Sequence, residues 1–211
     1  MKKLSFLVLF LVVFGPPCFG FYPPHWWTEI PRENIPSWEI LPHEAKDGEV
    51  ILSKRTELGV FSNLANTPFT YDRVLFQSVE GFWQMMKYPE NTEDPRSKLP
   101  YDKTRKDVAS LHGFTAKKAG TLANKIMLDH HIDWISYQGR RFNYKDLAEG
   151  SAFHYQLIYN AIKAKIDQNP KLKKLLKQTD GLVLRPDHYQ SENLPKSYYY
   201  HQILMDIRDL L

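Results

Sequence analysis

The sequence 61-FSN-63, followed by 78-SVEGFWQMMKY-88, decides the fold and holds the residues that could carry chemistry. In the second stretch Ser78 suits a helix N-cap, and the acidic Glu80 falls in the first turn, where the helix dipole favours a negative charge. Pro89 follows the stretch and cannot continue a helix. The pattern therefore predicts a helix over residues 78–88.

One face of this predicted helix carries four side chains of different chemistry. At 100° per residue, the seven-residue step from Glu80 to Lys87 turns through about 700°, which places the two within about 20° of each other. Trp83 and Gln84 lie between them on the same face. An adjacent apolar stripe suits the core and consists of Val79, Phe82 and Met86. A carboxylate, an indole, a carboxamide and an amine thus share one ridge.

Two interpretations of the ridge stay open from the residues alone. The first is a solvent-exposed helix face with one aromatic side chain at its edge, because glutamate and lysine often share a face. The second is the wall of a pocket. There, burial and a cationic neighbour would lower the pKa of Lys87 and free its amine as a nucleophile, while Glu80 could act as a general acid or base.

Short strands are predicted before this helix and further helices after it. Apolar residues alternate with polar ones at 50–52, 58–60, 69–71 and 74–76, which predicts short antiparallel strands with a hairpin near Asp72 and Arg73. Helical periodicity predicts helices over residues 104–111, 115–128, 152–167, 170–178 and 199–211. We therefore expect an α+β, mainly helical single domain over residues 49–211, with a small antiparallel sheet.

A segment rich in proline and tryptophan precedes that domain. Residues 21–48 contain five prolines interleaved with Trp26, Trp27 and Trp38. Prolines at this density exclude a regular helix, and the tryptophans argue against a fully solvated linker. We expect an extended arm that lies against the domain, and an arm that binds a partner is the alternative.

The first 20 residues have the layout of a secretory signal peptide. Lys2 and Lys3 precede an apolar run at residues 4–14, a Gly-Pro-Pro break follows, and the small residues Cys18 and Gly20 stand two apart. The run is about half of the ~20 residues that span a bilayer, so an uncleaved anchor is the weaker alternative, as is a lipid-modified Cys18. We expect cleavage after Gly20, a secreted or periplasmic protein, and no transmembrane domain in the mature chain.

Length and composition exclude several classes of protein. At 211 residues the chain suits one folded domain, and 43% hydrophobic with 25% charged residues exclude disorder throughout, collagen-like repeats and a multi-span membrane protein. Signal cleavage would remove the only cysteine, which excludes a disulfide framework, a thiol nucleophile and a cysteine-ligated metal site. His130 and His131 are adjacent and point apart, so no metal site is predicted.

Charge gives little support for a nucleic-acid-binding protein. Cleavage after Gly20 removes two of the 28 basic residues and none of the 24 acidic residues, which leaves 26 against 24 and a net charge of +2. The lysines between residues 171 and 177 are interpreted as a solvated helix face. Their alternative is a nucleic-acid surface beside the tyrosines at 198–200, which would make binding strongly salt-dependent. We expect no stable nucleic-acid binding.

Several motifs follow one another in the order found in a known family. These are FSN, SVEGFWQMMKY, a Gly-containing helix at residues 117–120, Asp133 with Trp134, AIKAKIDQNPKLKKLLKQT at 161–179 and LMDIR at 204–208. Over residues 50–211 the chain resembles the NADAR, or YbiA-like, family. The resemblance implies a small, mainly helical domain that hydrolyses N-glycosidic bonds to ribose and needs no metal or redox cofactor.

The resemblance also implies roles for individual residues and a class of substrate. Glu80 resembles the catalytic carboxylate of the family, and Lys87 resembles the lysine that can form a Schiff base with the opened sugar. Asn63 and Trp134 resemble pocket residues. Substrates in the family include ribosylamino-pyrimidine intermediates of riboflavin synthesis and ADP-ribose attached to guanine.

One segment departs from the family pattern. Where many relatives have a Trp-Gly-rich stretch before the closing helix, this chain reads LRPDHY at residues 184–189. Part of the expected substrate wall is therefore replaced, which leaves the identity of the substrate open. Asp187 and His188 could orient a ribose or share a proton transfer, and a turn that begins after Pro186 is the alternative.

The sequence leads to one functional hypothesis and one main alternative. An exported N-glycosidase would remove a ribosyl group from a small nucleotide-like molecule or an ADP-ribosylated target, with Lys87 attacking the anomeric carbon or capturing the opened aldehyde. Trp83 or Trp134 would stack on the base, and Gln84 would contact the substrate. Cations that could hold a phosphate are Lys54, Arg55 and Arg105. The alternative is a non-catalytic module that binds ADP-ribose or NAD.

Overall fold

A computed structural model describes residues 22–145 and 149–211, so the predicted signal peptide lies outside the described residues. The α-helices of this part are α1 (Val79–Met85), α2 (Arg105–Ala109), α3 (Gly113–Asp129), α4 (Glu149–Gln168), α5 (Pro170–Gln178) and α6 (Tyr200–Arg208). The strands are β1 (Glu49–Ile51), β2 (Phe69–Tyr71), β3 (Val74–Phe76), β4 (Ile135–Tyr137), β5 (Arg140–Phe142) and β6 (Val183–Arg185). Short 3-10 helices lie at Pro24–Trp27, Pro42–Glu44, Glu57–Phe61, Pro95–Lys98 and Lys196–Tyr198.

The hairpin predicted near Asp72 and Arg73 is confirmed. β2 pairs with β3 in antiparallel fashion, with Phe69 opposite Phe76. Asp72 and Arg73 both have positive φ, 48° and 65°. Two consecutive left-handed residues form a tight turn whose twist suits a two-residue hairpin. β4 and β5 form a second antiparallel pair.

Two predictions about strands are wrong. β1 is not antiparallel to a neighbour, because it pairs in parallel with β6, with Val50 opposite Leu184. The partner strand lies near the other end of the chain, so local alternation could not indicate it. Residues 57–61, for which the alternation predicts part of a strand, form a 3-10 helix whose Leu58 and Phe61 are buried. A spacing of three residues puts two side chains on one face of such a helix.

The predicted helices are present, with ends that differ by a few residues. α5 has the predicted bounds, whereas α4 begins at Glu149 and α6 ends at Arg208. α1 ends at Met85, short of the predicted residue 88. Side chains from other segments bond the carbonyls of residues 85–87. The predicted α+β, mainly helical single domain is confirmed. Within the described residues, no helix is long and apolar enough to cross a membrane.

α1 packs tightly against the helices that follow it. Its N-cap is Ser78, whose Oγ accepts a hydrogen bond of 2.9 Å from the backbone N–H of Gly81. A Cβ at Gly81 would lie 2.6 Å from the carbonyl oxygen of Leu111, so only glycine permits this close approach of α1 and the chain after α2. Phe82 is fully buried and meets Phe76 edge to face, with ring centroids 5.0 Å apart. α1 is thereby held in the centre of the core.

Residues 22–48 are attached to the rest of the chain by tryptophan side chains. Trp26 is fully buried within the hydrophobic core, and its Nε1 donates to Glu57 Oε1 at 2.7 Å. Trp27 Nε1 donates to the carbonyl of Glu49 at 2.9 Å. Trp38 instead remains exposed. Two tryptophans thus anchor the segment, and the third is left at the surface.

Candidate active site

A cavity of about 390 Å³ lies where α1 and α3 meet the loop after the 57–61 helix and the segment before α6. Six predicted site residues line it, namely Asn63, Glu80, Trp83, Gln84, Lys87 and His188. Glu80 is 7% exposed and Lys87 is 3% exposed. These exposures decide between the two interpretations of the ridge, because both ionisable side chains face a sheltered cavity and not bulk water.

A backbone hydrogen bond directly joins residues 61–63 to residues 78–88. The N–H of Glu80 donates to the carbonyl oxygen of Asn63 at 2.8 Å. This bond satisfies one of the free N–H groups in the first turn of α1, and Asn63 and Glu80 both line the cavity. The FSN loop and α1 therefore form one wall of the cavity.

Glu80 is held by a neighbour one turn further along α1. Gln84 Nε2 donates to Glu80 Oε1 at 2.8 Å. Burial raises the pKa of Glu80, and the hydrogen bond from Gln84 and the charges of Lys87 and Lys117 oppose this rise without cancelling it. The carboxyl group therefore keeps its proton to higher pH than that of an exposed glutamate.

Lys87 has the complementary shift. Burial lowers its pKa to about 8, with the positive charge of Lys145 acting in the same direction and the carboxylate of Glu80 acting against it. Its Nζ lies 6.0 Å from the ring centroid of Trp83 and 5.8 Å from that of Tyr144. A substantial fraction of the amine is therefore neutral near pH 8, which is the form that attacks carbon.

Three side chains hold the backbone around Lys87 by bonding the carbonyls of residues 85–88. Arg105 donates to the carbonyls of residues 85 and 88, at 3.2 and 3.0 Å. Arg96 donates to that of residue 86 at 2.9 Å, and the hydroxyl of Tyr101 donates to that of Lys87 at 3.1 Å. Positive side chains at a helix C-terminus also interact favourably with the helix dipole. The end of α1, and with it the base of the Lys87 side chain, is thus fixed.

Aromatic side chains form the wall opposite α3. Trp83 meets Tyr198 edge to face, with ring centroids 4.7 Å apart, and lies 5.4 Å from the ring of His154. His154 is fully buried, and its Nδ1 lies 2.9 Å from Ser197 Oγ. Burial lowers the pKa of His154 to about 3, and the charge of Lys87 adds to that effect. A neutral imidazole therefore supports the tryptophan ring from behind.

Four residues that line the cavity each have a buried polar atom without a protein partner. These atoms are Asn63 Oδ1, Trp83 Nε1, Gln84 Oε1 and Gln190 Oε1. A buried polar atom left without a hydrogen bond costs about 1–3 kcal/mol. The residues that line the cavity thus include three buried acceptors and one buried donor without a protein partner.

Two predicted substrate-binding residues lie elsewhere. Trp134 does not line this cavity, because it is stacked between the guanidinium groups of Arg96 and Arg141, at 4.4 and 4.2 Å from its ring centroid. The structure therefore places Trp134 outside the cavity beside Lys87, with two guanidinium groups on its ring. Asp187 lines an adjoining cavity, and its Oδ1 lies 3.0 Å from His188 Nδ1.

The cations predicted to hold phosphate are also placed outside this cavity. Arg105 is occupied by the carbonyls at the end of α1, and Arg55 and Lys54 both bind the buried carboxylate of Glu39, at 2.8 and 2.9 Å. The cations that do line the cavity beside Lys87 are Lys117 and Lys145. Neither lysine is among the site residues predicted from the sequence.

The sequence of α3 contains a pattern that could have indicated its contribution to the cavity lining. Lys117, Thr121 and Asn124 all line the cavity and stand at i, i+4 and i+7, a spacing that puts three polar residues on one helix face. The aromatic residues Tyr144 and Tyr198 have no comparable signal, because they come from irregular segments. Within the described ranges, no group of three or more histidine, aspartate or glutamate side chains could hold a metal ion.

Comparisons with known proteins add one similarity of fold. No family model matches the chain, and no curated protein matches it. Among solved structures, the chain is similar to the NMR structure of the Escherichia coli protein YbiA, with 17% sequence identity and a TM-score of 0.48. The similarity covers 79% of this chain and 87% of that chain. The function proposed below rests on the geometry of the cavity and not on this similarity.

Proposed function

We propose that this protein is a glycosidase that hydrolyses an N-glycosidic bond to ribose in the cavity beside α1. The observation that carries the proposal is the pair of opposite pKa shifts at Glu80 and Lys87 within one sheltered cavity. Burial shifts Glu80 toward its protonated form and Lys87 toward its neutral amine, and these are the two forms that displacement of a base from a sugar requires.

In the first step, the lone pair of Lys87 Nζ attacks C1′ of the ribosyl group. The bond from C1′ to the base nitrogen breaks, its electron pair leaves with the base, and Glu80 protonates the leaving nitrogen. The lysyl nitrogen then loses one proton to solvent and transfers a second to O4′ as the C1′–O4′ bond breaks, which gives a neutral imine between Lys87 and the open sugar. The alternative order, in which the amine captures an already opened aldehyde, leads to the same imine.

In the second step, water adds to the imine carbon and the Glu80 carboxylate accepts a proton from that water. The bond from carbon to Nζ then breaks, which returns Lys87 as an amine and releases the free sugar. The sum of both steps is hydrolysis, since one water supplies the hydroxyl of the sugar and the hydrogen of the base. No redox partner is required.

The remaining lining residues support substrate positioning. The side chains of Asn63 and Gln190 would bond the ribose hydroxyls, and Trp83 would stack on the base or the sugar ring. His188 lies on the opposite rim. The substrate would be a small nucleotide-like molecule, either a ribosylamino-pyrimidine or an ADP-ribosyl compound, and a secreted or periplasmic location would restrict it to molecules found there.

Borohydride trapping tests the covalent step. The full chain is incubated with ADP-ribosylated guanine nucleotide or a ribosylaminopyrimidine, reduced, digested and analysed by mass spectrometry. The expected result is a sugar adduct on Lys87 that is absent in Lys87→Ala and retained in Lys145→Ala, a second lysine of the same cavity. Full base release by Lys87→Ala would refute the mechanism.

A non-catalytic module that binds ADP-ribose or NAD is the second candidate. The polar and aromatic side chains that line the cavity would bind a sugar whether or not turnover follows. This candidate predicts that ADP-ribose raises the melting temperature while no base is released from any substrate. Release of base that depends on Lys87 would exclude it.

A further inference from the structure

The segment between β6 and α6 supplies two residues that line the proposed active site, His188 and Gln190. They stand two residues apart, the spacing that puts side chains on the same side of an extended chain. The residue between them, Tyr189, is instead exposed. Residues 188–190 belong to no helix or strand, so the position of this wall depends on contacts from other parts of the chain.

One such contact comes from the N-terminal segment. Glu39 and His188 form an isolated antiparallel bridge, in which the two residues lie opposite each other. The N–H of Ile40 donates to the carbonyl of Asp187 at 2.8 Å, and Asp187 Oδ1 in turn lies 3.0 Å from Nδ1 of His188. Residues 39 and 40 thus hold the backbone at the residue whose ring lines the cavity.

Glu39 is itself fixed by its side chain. It is fully buried, and its carboxylate accepts hydrogen bonds from Arg55 at 2.8 and 3.1 Å and lies 2.9 Å from Nζ of Lys54. The hydrogen bond from Arg55 lowers the pKa of Glu39 and outweighs burial, which acts in the opposite direction, and Lys54 adds to the lowering. The carboxylate is therefore charged at neutral pH and is bound to both cations.

The two cations come from the part of the chain that leads to another wall of the cavity. Lys54 and Arg55 lie between β1 and the 3-10 helix that precedes the FSN loop. Asn63 of that loop lines the same cavity as His188. Through one carboxylate and one backbone bridge, Glu39 therefore connects the chain before Asn63 to the segment that carries His188.

A buried ion pair adds little net stability, because the cost of removing the charges from water offsets most of their attraction. A buried charge that loses its partners is costly, however, so the native arrangement of those partners is strongly favoured. We propose that Glu39 is a positioning residue of the active site, which holds His188 and Gln190 in place relative to Asn63. This inference rests on the proposed function, since the ligand of these side chains is its ribosyl substrate. It makes the N-terminal segment part of the site, whereas the sequence predicted only an arm against the domain.

Glu39→Gln tests this role. The substitution keeps the size of the side chain, removes its charge and turns one acceptor into a donor that faces the donors of the two cations. KM for base release from ADP-ribosylated guanine nucleotide or a ribosylaminopyrimidine should rise roughly 2- to 10-fold, the effect of losing one hydrogen bond, while kcat stays unchanged. His188→Ala should raise KM similarly. The double variant should show no larger rise than His188→Ala alone, because Glu39 acts through His188.

Glu57→Gln is the matched control. Glu57 also holds the N-terminal segment, but its carboxylate is bonded to Trp26 and His25. KM should therefore be unchanged in this variant. A rise as large as that in Glu39→Gln would overturn the inference, because the effect would then come from loosening of the whole N-terminal segment.

Hydrogen exchange measures the same contact without the reaction. Relative to the N–H groups of α4, the N–H of Ile40 should exchange faster in Glu39→Gln than in the unchanged protein, and at an unchanged rate in Glu57→Gln. Arg55→Gln leaves Lys54 as the only cation on Glu39, so it should show a smaller acceleration. This variant supplies the test if Glu39→Gln does not fold.

An additive rise of KM in the double variant would overturn the inference, as would equal exchange of the Ile40 N–H in Glu39→Gln and the unchanged protein. These outcomes differ from failure of the proposed function. If neither substrate releases base while exchange is accelerated in Glu39→Gln and not in Glu57→Gln, Glu39 holds this wall of the cavity and the catalytic proposal fails.

Discussion

A Cβ on Gly120 of α3 would lie 1.8 Å from Oε1 of Gln84 on α1 and 2.1 Å from its Cδ. The carboxamide of Gln84 therefore occupies the space that any side chain at residue 120 would need. Since Gln84 donates to Glu80, the position of the proposed proton donor depends on a glycine of another helix.

Gly120→Ala should displace Gln84 and leave Glu80 without its hydrogen bond. We expect base release to fall roughly 10- to 100-fold, the cost of a small misplacement of a catalytic group. The free energy of unfolding should change by no more than about 1 kcal/mol, because alanine is a better helix former than glycine by about that amount and offsets the crowding. Initial rates and urea denaturation measure the two effects.

The Gln84→Ala background separates this mechanism from a general disturbance of α3. In that background the added methyl meets no carboxamide, so Gly120→Ala should have little further effect on the rate. An undiminished loss in the double variant would show that Gly120 acts through another contact.

The rate should depend on pH through Lys87. Because burial lowers its pKa to about 8, the fraction of free amine and hence kcat/KM should rise with pH up to about 8. Burial also raises the pKa of Glu80, so its carboxyl group keeps its proton to higher pH than that of an exposed glutamate. Lys145→Gln should move the rising limb to higher pH, since the charge of Lys145 lowers the pKa of Lys87. Lys118→Gln is the matched control, and a rising limb that shifts equally in both variants would contradict this assignment.

Acid should destabilise the fold through Asp94 and Arg96. Burial alone would raise the pKa of Asp94, but hydrogen bonds from the Arg96 side chain and from backbone N–H groups lower it to about 2. The stabilisation is therefore present above pH 4 and lost as the pH falls toward 2, by about 2 kcal/mol in all. Denaturation at pH 5 and pH 2.5 should show this loss in the unchanged protein and a smaller one in Asp94→Asn. The same loss in both proteins would refute the role of this pair.

Local patterns in the sequence predicted much of the fold. The hairpin at Asp72 and Arg73 and the bounds of α5 depend on turn chemistry and periodicity within a few residues, and both could be predicted. The parallel pairing of β1 with β6 could not, because it joins segments near opposite ends of the chain. Likewise, alternation at residues 58–60 does not distinguish a strand from a 3-10 helix whose apolar residues are three apart.

The candidate site divides in the same way. Glu80, Trp83 and Gln84 share one face of α1, so helix geometry predicted that they would line one surface. Lys87 lines the same cavity from the turn that follows α1, although the prediction placed it on the helix. The position of Trp134 could not be predicted, because the two arginines that stack on its ring come from other segments. The contact of His154 with Trp83 and the adjoining cavity that Asp187 lines were not predicted, since both depend on which distant segments pack together.

Lys165 on α4 gives a prediction that concerns the loop next to Asn63. Its side chain is 1% exposed, and its Nζ donates to the carbonyls of Val60 and Ser62, at 2.7 and 2.9 Å. Burial lowers its pKa to about 7, below the value of 10.5 expected in the unfolded chain. The unfolded state therefore binds more protons between pH 7 and 10, and stability should rise with pH across that window by up to roughly 4 kcal/mol.

Lys165→Met should remove this part of the pH dependence while filling the same space. Urea denaturation at pH 7 and pH 9.5 should show a smaller rise in the variant than in the unchanged protein, and the exposed Lys174→Met should keep the full rise. The variant should also raise KM for the ribosyl substrate, because two carbonyls beside Asn63 lose their donor and the FSN loop is no longer tied to α4. A rise in stability identical in all three proteins would mean that Lys165 keeps its charge in the core, held by the two carbonyls alone.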